Sequence, residues 1–337
     1  MPQNMLAEFF KTVAFYKTVC YTYRMKYIDI GGISCSRLVL GCMRIADKPL
    51  GNIERLVNTA LDIGVNMFDH ADIYGGGACE RLYGDLIKNS PSLRNRMVLQ
   101  TKCGIKSGWY DLSYKHIIES VNASLKRLNT DYIDILLLHR PDTLMRPEQI
   151  ARAFDELQQS GKVRVFGVSN FSAYQTDYLQ SVVNRPLYIN QLRMSPTFCP
   201  LIDNGINVNT ASPAANDVSG GALEYCRKNN ITIQTYGTMQ CEFTDETGYY
   251  YSGAFMTEHA NKKYFSLNLT LGGLAQKYDT TPEAVAVAWI LHHPARMQAV
   301  IGTTLDKHLE LYKDCCEVPL DDREWYNIYT SAGHHLP

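Results

Sequence analysis

Residues 133–142 read I-D-I-L-L-L-H-R-P-D, and the run from Ile133 to Leu138 decides the fold. Its last four residues, Ile135–Leu138, are all apolar, as expected of a strand that is buried on both faces of a parallel sheet. A polar segment that begins with His139 follows at once. The run therefore predicts a buried parallel strand with a polar group at its carboxyl end.

Seven similar apolar runs occur along the chain, and amphipathic helical patterns lie between them. Residues 117–128 have their apolar side chains on one helical face, and so do residues 150–157, where Ser160 and Gly161 end the helix. The sequence T-T-P-E at 280–283 predicts another helix start, because it combines an early proline with an S/T-x-x-E capping pattern. The eight predicted strands are Leu38–Leu40, Val65–Phe68, Met97–Thr101, Ile133–Leu138, Val163–Val168, Leu187–Asn190, Thr232–Thr235 and Gln298–Ile301.

Eight strands that alternate with helices predict the α/β class, as a single (β/α)8 TIM barrel. An open, doubly wound sheet is the alternative, but no G-x-G-x-x-G follows a strand, and Gly75–Gly77 lacks the third glycine at the required offset. Such barrels fill about 250 residues or more as one domain. Residues 25–337 are therefore predicted to form one domain.

Residues 1–24 differ from the rest of the chain and are predicted to be a dispensable N-terminal extension. Leu6, Phe9, Phe10 and Val13 could share one side of a short helix. As a signal peptide the segment is poor, because Glu8 comes early, lysines break the apolar stretch and no small-x-small cleavage site follows.

Composition excludes several classes of protein. Of the 337 residues, 45% are apolar and 20% charged, which is a globular balance rather than a disordered one. The net charge is −1 and no basic stripe occurs, so a nucleic-acid partner is not expected. No uncharged apolar run approaches the roughly 18 residues of a membrane span. The ten cysteines form no C-x-x-C pair, which favours small core residues in a reducing cytoplasm.

In a barrel of this kind, catalytic and binding residues gather where strands end and the following loops begin. One rim would thus collect an acid, a phenol, an amine and an imidazole, and buried charges without a role are costly. The residues that follow the predicted strands are Asp69–Tyr74, Lys102, His139, Ser169, Asn170, Gln191, Tyr236, Gly237 and Gly302–Thr304.

Five motifs, in order along the chain, resemble those of the aldo-keto reductases. They are G-V-N-M-F-D-H-A-D-I-Y-G (64–75), T-K-C-G (101–104), L-L-L-H-R-P-D (136–142), G-K-V-R-V-F-G-V-S-N-F (161–171) and N-Q (190–191). The D-H-A-D-I-Y-G-G and L-x-H-R-P-D motifs are most similar to those of the bacterial YdhF-like oxidoreductase branch. The resemblance extends from about Met25 to the C-terminus.

The resemblance implies a (β/α)8 barrel that binds a nicotinamide dinucleotide without a Rossmann fold. It implies reduction of a small aldehyde or ketone, with Tyr74 as general acid assisted by Asp69, Lys102 and His139. The family usually binds NADPH, so NADPH is expected. NADH remains possible, because His308 stands where many relatives have an arginine for the 2′-phosphate, and histidine is a weaker, pH-dependent phosphate partner. The implied cofactor contacts are Gly41, Cys42, Met43, Asp69, Ser169, Asn170, Gln191, Tyr236, Gly237, Thr238, Met239, Gln240, Gly302, Thr303, Thr304 and His308.

The four catalytic residues have a physical division of labour. The Lys102 ammonium would favour the phenolate and lower the pKa of Tyr74 from about 10. Asp69 would keep Lys102 charged, and His139 would either hydrogen-bond the substrate oxygen or help relay the proton. Aromatic residues on two loops, Trp109 with Tyr110 and residues 249–251 with Phe255, would suit an aromatic carbonyl substrate.

Other functions remain open at this point. The same fold could serve as a cofactor-sensing regulatory subunit with little turnover. A metal-dependent hydrolase could use His70, Asp72 and His139, but it lacks the expected His-x-His on the first strand. The long connection from Leu192 to Gly221 could be a lid, a partner site or inert surface. The oligomeric state is open between a monomer and a weak homo-oligomer.

Overall fold

The computed structural model describes residues 25–244, 250–257, 260 and 262–337. The predicted extension 1–24 and Tyr249 lie outside these residues. Within the described residues, no helix is both long and apolar enough to cross a membrane.

Eight parallel strands close into a barrel in chain order, each beside the next, with the eighth beside the first. All eight predicted strands, and the predicted (β/α)8 fold, are therefore confirmed. The strands are β1 (Leu38–Gly41), β2 (Met67–Asp69), β3 (Val98–Cys103), β4 (Ile133–Leu138), β5 (Val163–Ser169), β6 (Leu187–Arg193), β7 (Thr232–Tyr236) and β8 (Met297–Ile301).

Helices follow the strands and pack outside the barrel. They are α1 (Leu50–Asp62), α2 (Ala78–Asn89), α3 (Tyr114–Leu128), α4 (Pro147–Gln159), α5 (Ala173–Gln180), α6 (Pro200–Ile206), α7 (Ala222–Lys228), α8 (Phe265–Lys277), α9 (Pro282–His292), α10 (Asp306–Glu310) and α11 (Asp322–Ser331). Short 3-10 turns span Tyr74–Gly77, Pro91–Arg96 and Pro213–Ala215. The long connection after β6 thus contains α6 and one of these turns.

Three antiparallel hairpins add to the barrel. The first, Tyr27–Ile30 with Ile33–Ser36, precedes β1. Its Ile30 and Ile33 pack with the inward side chains of the strands, so the hairpin closes the amino end of the barrel. The other two follow the carboxyl ends of β3 and β7 and consist of Ile105–Lys106 with Trp109–Tyr110 and of Gln240–Thr244 with Tyr250–Ala254.

The helix ends follow local rules, with one correction. Helix α4 ends at Gln159 with Ser160 as its C-cap, and Gly161 has a φ of 72°, as the Ser-Gly pair predicts. Pro282 opens α9, but the capping residue is Thr281, whose hydroxyl accepts from the Ala284 amide at 3.1 Å. The capping pattern predicted from Thr280 was therefore wrong by one residue, because Pro282 takes the first helical position.

Helices α2 and α3 approach closely at Gly84. A Cβ atom at this position would lie 2.0 Å from the carbonyl oxygen of Arg127, which is backbone and cannot rotate away. Glu80 on α2 is fully buried nearby, and its Oε2 accepts from the Arg127 Nε at 2.6 Å. This contact joins α2 to α3, and the Thr101 hydroxyl of β3, which donates to Glu80 Oε1 at 2.6 Å, joins α2 to the barrel.

Candidate active site

Four predicted catalytic residues lie at the carboxyl ends of β2, β3 and β4. Asp69 is the last residue of β2, Lys102 lies in β3, and His139 follows β4. Tyr74 begins the 3-10 turn after β2. The three glycines that follow it have φ values of 56°, 60° and 84°, which side chains with a Cβ rarely adopt, so this turn needs glycine.

The Lys102 ammonium joins these groups. Its Nζ lies 2.6 Å from Asp69 Oδ1, 2.8 Å from the His70 carbonyl oxygen and 3.2 Å from the Tyr74 hydroxyl. The lysine is fully buried, and Asp69 is 3% exposed. Because a buried charge is costly without a partner, the Asp69 carboxylate is what allows a lysine here.

The electrostatics of the pair differ in part from the prediction. Burial alone would lower the pKa of Lys102, but the charges and hydrogen bonds of Asp69 and Tyr74 together outweigh burial and raise it, so the lysine stays charged. For Tyr74, burial raises the pKa, and the opposing effect of Lys102 does not cancel it. The predicted net lowering of the tyrosine pKa was therefore wrong. Burial costs the phenolate form more free energy than the ammonium gives back. Tyr74 carries its proton at neutral pH.

His139 faces the phenol. The two ring centroids lie 5.8 Å apart at an interplanar angle of 80°. Burial, with help from Lys102, lowers the pKa of His139 to about 3, so the imidazole is neutral at physiological pH. Its Nδ1 is buried and has no hydrogen-bond partner among the described residues. A neutral ring can still donate one N–H to a substrate oxygen.

His70 and Asp72 flank the site without forming a metal centre. Burial lowers the pKa of His70 to about 3, and the ring packs edge-on against Tyr83. Burial raises the pKa of Asp72 to about 7. In the described part of the chain, the ligand atoms of His70, Asp72 and His139 do not come close enough together to hold one ion, so the hydrolase alternative has no site.

A polar cradle lies beside these groups at the ends of β5, β6 and β7. The Ser169 hydroxyl donates to the Gln191 carbonyl oxygen at 3.0 Å, and Asn170 Nδ2 donates to Ser169 Oγ at 2.8 Å. The Tyr236 hydroxyl donates to Asn170 Oδ1 at 3.0 Å. The structure thus brings together all four residues that the resemblance assigns to the nicotinamide end of a cofactor.

A chain of buried glutamine amides, which the sequence analysis missed, connects this cradle to the catalytic carboxylate. Gln100 Nε2 donates to Asp69 Oδ1 at 2.5 Å and to Gln234 Oε1 at 2.6 Å. Gln191 Nε2 donates to the same Gln234 oxygen at 2.5 Å. Gln234 in turn donates to Gln298 Oε1 at 3.1 Å. The available signal was a glutamine within each of three predicted strands, at V-L-Q-T, T-I-Q-T and M-Q-A-V.

The loops predicted to receive the cofactor phosphates follow β7 and β8. Gly237 has a φ of 66°, and Gly302 lies against Arg44, whose Nη2 donates to the Gly302 carbonyl oxygen at 2.5 Å. His308 is exposed on α10. Arg44 was missed by the sequence analysis, although it directly follows the predicted residues Gly41–Met43, and it places a guanidinium beside the Gly302 loop.

The side chains of the remaining predicted cofactor residues differ in exposure. Cys42 is 2% exposed and Thr238 is 2% exposed, with the threonine hydroxyl donating to the Val300 carbonyl oxygen at 3.0 Å. These two residues could meet a ligand only through their backbone. Met43 is 52% exposed. The others on the two loops, Met239, Gln240, Thr303 and Thr304, are partly exposed.

The aromatic residues predicted to bind substrate divide into two groups. Trp109 and Tyr110 are exposed on the hairpin that follows β3, on the same side of the barrel as the catalytic residues. Phe255, by contrast, is fully buried in the core around α8 and α9, so its predicted substrate role was wrong. The chain turns back toward the barrel at this position, so the Phe255 side chain packs into the core instead of facing the substrate.

Comparison with known proteins identifies the family. The model of the Aldo/keto reductase family matches residues 37–331. The chain is 32% identical to oxidoreductase YdhF of Escherichia coli over 91% of its own length and 97% of the relative, and 32% identical to the 6-dehydroglucose reductase of Agrobacterium fabrum over 89% and 95%.

Among solved structures, the thermostable aldo-keto reductase Tm1743, in complex with the inhibitor epalrestat, has the same fold, with a TM-score of 0.71 and 24% identity. It covers 91% of this chain, and the match spans 100% of that structure. The similarity to YdhF confirms the branch that the motifs indicated. The chain belongs to the aldo/keto reductase family of oxidoreductases.

Proposed function

We propose that the protein reduces an aldehyde or ketone to an alcohol with a nicotinamide dinucleotide, NADPH in preference to NADH. The observation that carries the proposal is the contact of one fully buried ammonium, Lys102, with both the Asp69 carboxylate and the Tyr74 hydroxyl. A protonated phenol held beside a fixed positive charge is what a carbonyl reduction needs in order to deliver a proton.

The residues of the cradle fit the nicotinamide end of such a cofactor. Gln191 is buried, and its amide nitrogen donates to Gln234 Oε1 at 2.5 Å, which fixes the orientation of the side chain. The Ser169 and Asn170 side chains lie on the neighbouring strand end. Amide and hydroxyl groups of this kind would hold the carboxamide, and Tyr236 would lie against the ring. When bound, the reduced nicotinamide supplies the hydride.

The side chains of this protein would handle the proton and the substrate oxygen. The neutral His139 donates a hydrogen bond to the carbonyl oxygen and positions it. Tyr74 then donates its proton to the oxygen that becomes the alkoxide. Lys102, 3.2 Å away, stabilises the phenolate that remains, and Asp69 keeps the lysine charged. The raised pKa of Tyr74 keeps the proton in place until an alkoxide, which is more basic, draws it off.

Positive groups near the two glycine loops support the preference for NADPH. Arg44 lies against Gly302, and Arg193 lies 3.7 Å from the position that a Cβ of Gly237 would take. Lys307 and His308 are exposed on the short helix that follows the Gly302 loop. A guanidinium binds phosphate oxygens well, so these arginines would favour the cofactor with the additional phosphate.

A turnover assay with a matched pair of tyrosine variants tests the proposal. Purified protein is mixed with NADPH or NADH and a panel of aldehydes that includes an aromatic aldehyde and 6-dehydroglucose, the substrate in the name of one relative. We expect Tyr74→Phe to lower kcat by about 10²–10⁴-fold, the range for a general acid, with the NADPH Kd unchanged. Tyr225→Phe, which removes a hydroxyl that donates to Asp177 outside the site, should keep full activity.

Three results would count against the proposal. Full turnover in Tyr74→Phe would remove the tyrosine from its role as acid. Fluorescence titration that shows binding of neither cofactor would remove the assignment as a whole. Tight cofactor binding without turnover on any carbonyl in the panel would favour the regulatory-subunit alternative.

A further inference from the structure

A thiol, a carboxylate and an imidazole meet outside the residues used by the proposed reaction. Cys199 directly precedes α6, Asp203 lies within α6, and His334 follows α11 near the end of the chain. Their ligand atoms all lie within 4.8 Å of one another, and no other group of this kind occurs in the described ranges. Sulfur, nitrogen and oxygen donors are the ligands that zinc takes in proteins.

The spacing of the three atoms suits one metal ion. Cys199 Sγ lies 3.5 Å from Asp203 Oδ1, 3.9 Å from His334 Nδ1 and 3.3 Å from His334 Nε2, and His334 Nδ1 lies 3.1 Å from Asp203 Oδ1. For zinc with ordinary ligand bonds and tetrahedral angles, the edges between ligand atoms are about 3.3–3.6 Å. Each observed distance is within about 0.4 Å of that range. A small shift of the side chains would therefore complete three corners of a tetrahedron.

The orientation of His334 also favours a ligand role. Its Nε2 lies 2.9 Å from the carbonyl oxygen of Pro196, which can only accept, so Nε2 carries a proton. In the neutral ring, Nδ1 would then be an acceptor that faces the Asp203 carboxylate oxygen at 3.1 Å. Two acceptors at this distance repel each other, so a proton or a metal cation must lie between them. A backbone carbonyl on the far nitrogen is the usual support of a metal-bound histidine.

Further contacts hold the ligands in place. The Tyr329 hydroxyl donates to Asp203 Oδ1 at 2.9 Å, and its ring stacks on His334 with the centroids 4.6 Å apart. Cys199 is fully buried, whereas the side chains of Asp203 and His334 are 18% and 16% exposed. The group is thus open on one side, where a metal ion could enter and a water molecule could be the fourth ligand.

We propose that Cys199, Asp203 and His334 bind one zinc-class divalent cation, which fastens the C-terminal end of the chain to the segment before α6. The ion takes the place of the proton between Nδ1 and the carboxylate and of the thiol proton, and both protons leave to solvent. The site does not depend on the proposed reductase activity. It stabilises the chain end by joining two segments that are 135 residues apart in sequence.

Zinc binding to the full-length protein tests the site. The protein is treated with a chelator under reducing conditions and titrated with zinc chloride in competition with a chromogenic chelator. We expect one tight equivalent, an affinity at least tenfold lower in Cys199→Ser and in His334→Gln, and no change in His335→Gln or Cys226→Ser. The controls remove a neighbouring exposed histidine and a second buried cysteine.

A second readout separates coordination from a mere effect on folding. With cobalt(II) in place of zinc, the protein should show a thiolate charge-transfer band that Cys199→Ser removes and Cys226→Ser keeps. Circular dichroism checks that each variant is folded, and His334→Gln decides alone if Cys199→Ser does not fold. If the wild type and the Cys199→Ser/His334→Gln double variant bind zinc equally, the three residues form only a hydrogen-bonded cluster and the proposal is overturned.

Discussion

Replacement of Asp69 by Asn is expected to destabilise the fold because it leaves the Lys102 ammonium buried without its counter-charge. The ammonium nitrogen lies 2.6 Å from the carboxylate oxygen, and the lysine side chain is 0% exposed. At an effective dielectric near 20, this separation corresponds to about 6 kcal/mol of attraction, part of which offsets desolvation of the two ions. Removal of one partner from such a pair should lower the free energy of unfolding by about 3–5 kcal/mol.

Lys102→Met should cost a similar amount, because it leaves the carboxylate unpaired. The double variant Asp69→Asn/Lys102→Met should be more stable than the sum of the two losses predicts, by about 3 kcal/mol, since it leaves no uncompensated charge. Urea unfolding followed by circular dichroism measures all four proteins. The exposed pair Lys115–Glu119, 3.9 Å apart, gives a matched cycle that should show no measurable coupling. Additive losses at Asp69 and Lys102 would refute the view that they form one buried ion pair.

Two further predictions concern stability. Burial raises the pKa of Asp72 from 3.8 to about 7, so its neutral form stabilises the fold at acid pH and this contribution is lost as the pH rises to 7. Asp72→Asn should therefore raise the free energy of unfolding by about 4 kcal/mol at pH 8 and hardly at all at pH 4, and equal urea midpoint shifts at the two pH values would contradict this. Gly84→Ala should lower the free energy of unfolding by about 1–3 kcal/mol, because the new Cβ would lie 2.0 Å from the Arg127 carbonyl oxygen. Gly272→Ala, in open space on α8, should instead raise the free energy of unfolding by about 0.5–1 kcal/mol. If chemical denaturation shows that both variants change the free energy of unfolding in the same direction, the close contact at Gly84 does not determine the effect of substitution there.

The strands and helices could be predicted from local sequence patterns alone. A run such as Ile135–Leu138 is apolar at successive positions, which indicates a strand with both faces buried whatever the rest of the chain does. The alternation of such runs with helical patterns then favours a closed barrel. The exact first and last residues of these elements depend on tertiary contacts, which the local pattern does not show. The strand predicted from Val65 begins at Met67 in the structure, and the helix predicted to be capped at Thr280 is capped at Thr281.

Some of the site residues could likewise be predicted from local patterns, and others could not. The barrel brings strand ends to one rim, so a polar residue directly after an apolar run, such as Asp69 or His139, could be assigned to the site from sequence alone. The amides of Gln100, Gln234 and Gln298 could not, because they lie within strands rather than after them. Gln234 and Gln298 are side by side on paired strands, and Gln100 reaches Gln234 only across the barrel interior. The direction of the Tyr74 pKa also needed the structure, since burial opposes the nearby lysine.

The sequence by itself determined the order of strands and helices, and with it the end of the barrel where polar side chains gather, because periodicity and chain direction are properties of neighbouring residues. Tertiary structure alone decided the distances between side chains that are far apart in the chain. Cys199 and His334 approach each other only because α11 packs against α8 and α9, and Lys102 meets Asp69 and Tyr74 only because adjacent strands pair in register. Such distances depend on how the barrel closes and packs, which no local pattern records.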